Sequence, residues 1–304
     1  MISIRKVREL TLGRPSGAAG TQHISAASSL VRHRDNLYIV ADDELGLAVF
    51  PAEGTEDGYM IQILEGRLSH DADARSEDKA DLESVALLDA FGDHEHGALL
   101  ALGSGSGPKR NRGALIPLRE DGSPSDDHHL VDLDPLYAKL MDDLKDLNVE
   151  GAAVRGDVLT LLQRGNSAKG PNARIDLDLT NTLKSLEREE PLAPDSVRGI
   201  SEYPLGQSHG VDLCFSDASS LHDGRLVFSC SAEDSASSGS DGATVSSAVG
   251  IMDEDGDVTT LEEIDGAVKL EGVAAYLNGE DIEIFLVTDA DDPKVASPLY
   301  ATEL

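Results

Sequence analysis

Short apolar runs, four to six residues long and bounded by Gly, Asp or Asn, recur along the whole chain. Runs that are apolar at every position predict strands buried on both faces, and the frequent turn residues between them leave little room for helices. Five segments share one grammar: a small or acidic residue, then Gly, Ala or Ser, a short apolar stretch, a tight turn, and a second apolar run that ends in polar residues. They open at Ala26-Ala27-Ser28-Ser29-Leu30, Glu83-Ser84-Val85-Ala86-Leu87, Glu150-Gly151-Ala152-Ala153-Val154, Asp217-Ala218-Ser219-Ser220-Leu221 and Glu271-Gly272-Val273-Ala274-Ala275. The second runs follow at 37–43, 99–104, 159–164, 226–231 and 284–289.

Anchored on positions 26, 83, 150, 217 and 271, the repeats lie 57, 67, 67 and 54 residues apart, a period that suits a propeller blade with generous loops and excludes the shorter solenoid repeats. Each repeat supplies a third strand, at 46–50, 114–118, 173–179, 249–252 and 298–302, and the first four supply a fourth, at 60–64, 129–133, 200–205 and 258–264. The fifth repeat runs out of chain at that point, while 2–12 is a strand-like segment without a partner. The expected fold is therefore all-β: one domain over 1–304, a β-propeller of five four-stranded blades, with six left open, closed by the N-terminal segment 2–12 as the outer strand of the last blade. One helix is expected at 135–146, where Leu136, Leu140 and Leu144 recur every four residues behind Asp134 as N-cap.

In such a blade the start of strand one, the link from two to three and the exit of strand four share one face. The long segments 69–79, 104–113, 164–172, 232–247 and 289–297 all fall there, and long loops on a rigid scaffold are where binding and catalysis concentrate. The same face gathers the chemistry. Glu83, Glu150, Asp217 and Glu271 open four repeats and are expected to ring the channel, with Ala26 as the gap. A second tier at the ends of strand two reads Asp42, Ser104, Arg164, Ser231 and Asp289.

Converging carboxylates without Cys suit a hard cation such as Ca2+, which makes Glu83, Glu150, Asp217 and Glu271 the candidate metal ligands and Ca2+ the one cofactor expected, if there is any. Alternatively each acid caps a neighbour's backbone N–H groups or pairs with Arg, and the sequence leaves both readings open. Lys109, Arg110, Arg112, Arg164, Lys169 and Arg174 fall in adjoining loops of the second and third repeats, a cationic arc suited to a small anion. The candidate ligand-binding residues are Asp42, Lys109, Arg110, Arg164, Asn166, Glu233 and Asp289; no catalytic residue is assigned.

Charge narrows the partners. With 57 acidic against 25 basic residues the net charge is −32, a field that repels nucleic acid and anionic membranes. The opening interleaves Arg5, Lys6, Arg8 and Glu9 with apolar residues and lacks the apolar core of a secretion signal, and no window holds 18 uninterrupted apolar residues. A cytoplasmic monomer is expected. Cys214 and Cys230, without CxxC spacing, read as buried small hydrophobes.

The blade openings Leu147-Asn148-Val149-Glu150-Gly151-Ala152-Ala153, followed by Leu161-Leu162-Gln163-Arg164-Gly165-Asn166, and Leu270-Glu271-Gly272-Val273-Ala274, followed by Val287-Thr288-Asp289, resemble those of the phytase-like β-propellers, the group that includes the domain called esterase-like activity of phytase. The resemblance implies repeated Glu and Asp around the channel, calcium binding and action on phosphate esters; Ala26 in place of one acid departs from it. Two functions from different classes follow. One is a non-catalytic propeller that binds a small anionic molecule or a protein partner on the acidic face. The other is a calcium-dependent phosphoesterase or esterase-like hydrolase.

Overall fold

The computed structural model describes residues 1–304 other than 17–19, 166–169, 235–242, 267 and 290–291. Five antiparallel four-stranded units stand around one axis. Blade one is Ala27–His33, Asn36–Ala41, Gly46–Pro51 and Tyr59–Gln62; blade two is Leu82–Leu88, Ala98–Gly103, Arg112–Pro117 and His129–Asp132. Blade three is Val149–Arg155, Val158–Gln163, Ala173–Asp178 and Val197–Glu202. Blade four is Val211–Ser220, Leu226–Asp234, Ala243–Met252 and Val258–Glu263, with the short Gln207–Ser208 added beside its inner strand. Blade five is Leu270–Asn278, Asp281–Thr288 and Pro298–Glu303, completed by Arg5–Glu9 from the other end of the chain. Each inner strand packs against the inner strands of both neighbours, which closes the ring.

The all-apolar second strands have a simple cause. Successive side chains of a strand point to opposite faces, and here each face meets a different neighbour. Leu37, Ile39 and Ala41 enter the core shared by blades five and one, whereas Tyr38 and Val40 enter the core shared by blades one and two. The hydrophobic interior is thus five wedges, one at each blade interface.

The N-terminal segment does more than complete a sheet. Arg5–Glu9 pairs antiparallel with Pro298–Glu303, Ile2 bridges Ile264 at the edge of blade four, and Leu12 bridges Gly58 beside blade one. The closing strand is shorter than the 2–12 read from the sequence, because Thr11–Ser16 turns away to pair with Thr21–His23. Arg8 ties the closure to the first blade: its guanidinium donates to the carbonyls of Gly54 and Glu56 and lies 5.2 Å from the centre of the Phe50 ring. Arg8→Ala is expected to cost about 2 kcal/mol, the usual worth of buried hydrogen bonds to a charged donor. Urea unfolding checks this, and an unchanged midpoint would show that backbone pairing alone carries the closure.

Three α-helices and one short 3-10 helix, Pro194–Ser196, are present among the described residues. The expected one, α2 (Asp134–Asp143), buries Leu136 and Leu140, with Leu144 at its end, against blades two and three. Its cap differs from expectation: Asp134 is the first helical residue, Leu133 holds the cap position, and the Asp134 N–H donates to Asp132 Oδ1. Two more helices lie in stretches read as loops, namely α1 (Ala72–Asp78), capped by Asp71, and α3 (Leu179–Glu187), capped by Asp178. No described helix is long and apolar enough to cross a membrane.

Candidate site at the channel mouth

All five inner strands carry a β-bulge near their start. The pairing register shifts at Ser28, Glu83, Glu150 and Ser216, and in blade five Glu271 and Gly272 together stand opposite Val287. A bulge inserts one unpaired residue and re-aims its side chain. The equivalent positions around the channel are therefore Ser28, Glu83, Glu150, Ser216 and Glu271. This corrects the sequence alignment of repeats at two blades: Ala26 lies two residues before the bulge of blade one, and Asp217 lies one residue after that of blade four.

The one-residue difference sends Asp217 to a separate place. It is fully buried inside the channel, where Oδ1 accepts from Ser29 Oγ at 2.9 Å and Oδ2 accepts from the N–H groups of Leu30 at 3.2 Å and Val273 at 2.9 Å. Its carboxylate joins the inner strands of blades four, one and five. Gly151 and Gly272 occupy the same position in their own blades because the channel is this tight. A Cβ at Gly151 would stand 2.9 Å from Ala218 N, and one at Gly272 would stand 3.0 Å from Leu30 N.

Two residues before each bulge lie Ala26, Asp81, Asn148, Cys214 and Lys269. Ser231 stands opposite Cys214, and the N–H groups of Ser104, Arg164 and Asp289 donate to the carbonyls of Asp81, Asn148 and Lys269, while Ala26 bridges Asp289 and Asp42 follows Ala41, the partner of Ala27; these are the second tier read from the sequence. Side chains two apart share a face of a strand, so this tier and the bulge acids converge at the mouth.

They meet in two ion-pair clusters. Arg164 lies among three carboxylates: its Nη1 is 3.4 Å from Glu150 Oε2 and 3.8 Å from Glu271 Oε2, and its Nη2 donates to Glu233. Lys269 Nζ continues this cluster, 3.3 Å from Glu271 Oε1 and 3.7 Å from Asp289 Oδ2. In the other cluster Lys79 pairs with Asp42 and, at 2.7 Å, with Asp81 Oδ1, while Arg110 Nη1 takes Asp81 Oδ2 at 2.8 Å. Glu83 makes no hydrogen bond or ion pair with any described residue.

Burial and crowding set the protonation states. Glu150 is pushed up to about 8 by burial, with Arg164 pulling back and Glu271 adding to the rise. Burial also holds Glu83 well above the ordinary carboxylate range, reinforced by Glu150, Asp81 and Asp42. Asp81 goes the other way: burial opposes ionisation, but Lys79 and Arg110 outweigh it and hold the group below its usual value.

One oxygen each from Asp42, Asp81 and Glu83 lie within 4.8 Å of one another. Oxygen-only donors suit calcium, but the Lys79 ammonium already contacts two of these three acids. A calcium ion would have to displace it, so the folded arrangement fits an internal cation better than a bound one. Of the other candidates, Lys109 is exposed and pairs with Asp78 of α1, and Asn166 lies outside the described residues, as does Lys169. Arg174 pairs with Asp176 and packs over Tyr203 on blade three, so of the described members of the cationic arc only Arg110 and Arg164 join the ion pairs at the mouth. Lys79, Asp81, Asn148 and Lys269 escaped sequence reading. Their signal was period-two spacing: three of the four stand two residues before a bulge acid.

Residues 23–304 match a protein family described as DUF6929, of unknown function. The chain belongs to that family. No curated protein matches this DUF6929 chain in sequence. Among solved structures it is similar to glutaminyl cyclase of Myxococcus xanthus, at 12% identity and a TM-score of 0.50, over 99% of this chain and 97% of that one. It is also similar to a luciferin-regenerating enzyme, at 12% identity and TM-score 0.44 over 92% and 91% of the two chains. A mannose phosphorylase from Leishmania mexicana aligns at 9% identity and TM-score 0.47 over 98% and 88%. At these identities the likeness concerns the fold alone.

Proposed function

We propose that this DUF6929 propeller binds a small polar molecule at the channel mouth, and that Glu83 is the group that meets it. The observation that carries this reading is a carboxyl group raised well above its ordinary range and left without a hydrogen-bonding partner among otherwise paired acids. Strongly perturbed, convergent carboxyls concentrate at functional sites. Lys79, Arg110, Arg164 and Lys269 at the mouth are each engaged by carboxylates, so among the described residues there is no free cation for an anionic ligand there. What the mouth offers is an acid proton, suited to a carbonyl, hydroxyl or ether oxygen on the ligand.

A second reading, a general-acid hydrolase, draws on the neighbouring Glu150 and on blade openings that resemble those of phytase-like propellers. Glu150, pushed up to about 8, holds its proton at neutral pH as a general acid must. Neither reading routes a step through calcium.

Thermal-shift titration of the wild type, Glu83→Gln and Glu83→Ala against sugars, amides, lactones and phosphate esters tests the proposal. At least one class is expected to raise the wild-type melting temperature, with glutamine retaining part of the effect and alanine losing it. If every compound that shifts the wild type shifts Glu83→Ala equally, Glu83 is not the contact. If millimolar calcium stabilises the wild type instead, the mouth is a metal site and this reading fails.

A further inference from the structure

Beside the mouth, and separate from it, the loop between strands two and three of blade two forms one wall of an open groove of about 680 Å3. Arg110 on this loop turns to Asp81 at the mouth, whereas Lys109, Asn111 and Arg112 line the groove, Lys109 with its ammonium on Asp78 of α1. The Arg112 side chain is half-buried and makes no hydrogen bond or ion pair with any described residue; its Nε is shut away from water, which leaves Nη1 and Nη2 as the donors that a ligand in the groove can reach. Arg8, Arg32 and Arg155 also lack a carboxylate, but Arg8 and Arg155 donate to backbone carbonyls and Arg32 stacks on Tyr276 and Phe285, whereas Arg112 has neither kind of partner. Such a guanidinium carries an unmet hydrogen-bonding capacity that a carboxylate satisfies bidentately.

The rest of the groove says what else the occupant carries. Asp132 stands directly across the strand pair from Arg112 yet forms no ion pair with it, and Glu65 also lines the groove. Asp134 is partly engaged, its Oδ1 accepting from Asn111 Nδ2 at 2.9 Å. Leu130, 56% exposed, adds an apolar wall. Phosphate or another multivalent anion would meet three carboxylates at short range, whereas a molecule with its own cation close to its carboxylate satisfies both signs.

We infer that this groove binds a zwitterion of the amino-acid type, a free apolar amino acid or a short apolar peptide. Its carboxylate lies on the Arg112 guanidinium, its ammonium between Asp132 and Glu65, and its side chain against Leu130. The site is independent of the mouth, so Glu83→Gln leaves its affinity unchanged.

Nitrogen-15 correlation spectra with leucine, leucyl-leucine, N-acetylleucine and leucinamide test the assignment. Leucine or the dipeptide is expected to move resonances of 109–112 and 130–134, and the stronger of the two identifies the source. Blocking either charge should weaken binding by about tenfold or more, the worth of one charge-assisted contact. Arg112→Ala should abolish the shifts without lowering the melting temperature, since Arg112 holds no other part of the protein. Leu130→Ser, at an exposed position, should weaken binding of the side chain while the fold stays intact. Absence of shifts with every zwitterion, or equal affinity in Arg112→Ala, overturns the inference, as does binding of inorganic phosphate in preference to leucine.

Discussion

Replacing Asp217 by alanine is expected to be among the most damaging single changes in this protein, costing about 4 kcal/mol. The carboxylate is fully buried and accepts from Ser29 Oγ and from the N–H groups of Leu30 and Val273, which belong to two other blades. Alanine leaves these donors buried with no water to replace the lost acceptor, and each such orphan costs about 1–3 kcal/mol. Ser29 Oγ also receives the N–H of Val85, so the fault reaches the inner strand of blade two. Asparagine should be milder. Its amide oxygen can serve the two N–H groups while its amide nitrogen donates to Ser29 Oγ, which halves the loss. Urea unfolding of both variants decides the matter: an alanine midpoint equal to the wild-type one would mean that the channel is held by inter-blade packing and not by this carboxylate.

Asp217 also shows where sequence reading worked and where it stopped. The five blades were legible because each apolar run serves two wedge cores at once, a physical demand that writes Leu37 to Ala41 as an unbroken hydrophobic string. The closing strand was legible because the fifth repeat lacks its fourth member. The register of the acids was not. A bulge adds a single residue that leaves no mark on composition, so Asp217 and Glu150 look alike in the text although one lies inside the channel and the other at its rim. The glycines after Glu150 and Glu271 looked like part of a site motif; they answer the close approach of neighbouring strands.

The helices divide along similar lines. Helix α2 carries a four-residue apolar repeat and was found, whereas α1 is almost wholly polar and gave no periodic signal. Helix α3 could have been found from Asp178 as cap and from the spacing of Leu179, Leu183 and Leu186. The pairing of each rim acid with a particular cation was beyond reach, because Glu233 and Arg164 are 69 residues apart and meet only once the ring closes.

Arg164 is where that closure has its largest electrostatic consequence. Arg164→Met should cost about 3–5 kcal/mol near neutral pH, because a buried guanidinium is removed from among carboxylates that stay buried. Asn148 remains beside Glu150 and Lys269 beside Glu271, but neither replaces a charge shared by three acids. The loss should depend on pH with a definite sign. The folded-state value of Glu150, about 8, lies above its ordinary 4.5, so the folded protein binds this proton more tightly than the unfolded chain does. That contribution is fully present below pH 4.5 and declines as pH rises through 8, so it makes stability fall with rising pH across this window. Without Arg164, which pulls the Glu150 value down, the decline should continue past pH 8. Between pH 5 and pH 7 Glu150 keeps its proton in both folded proteins, so the deficit of the variant should be level there and widen above pH 8, and Glu150→Gln in the Arg164→Met background should remove that widening. Urea midpoints collected across this range provide the measurement. A deficit that stays level from pH 7 to pH 9 would mean that Arg164 acts through packing of its stem, and the charge network at the mouth would then contribute little to holding the blades together.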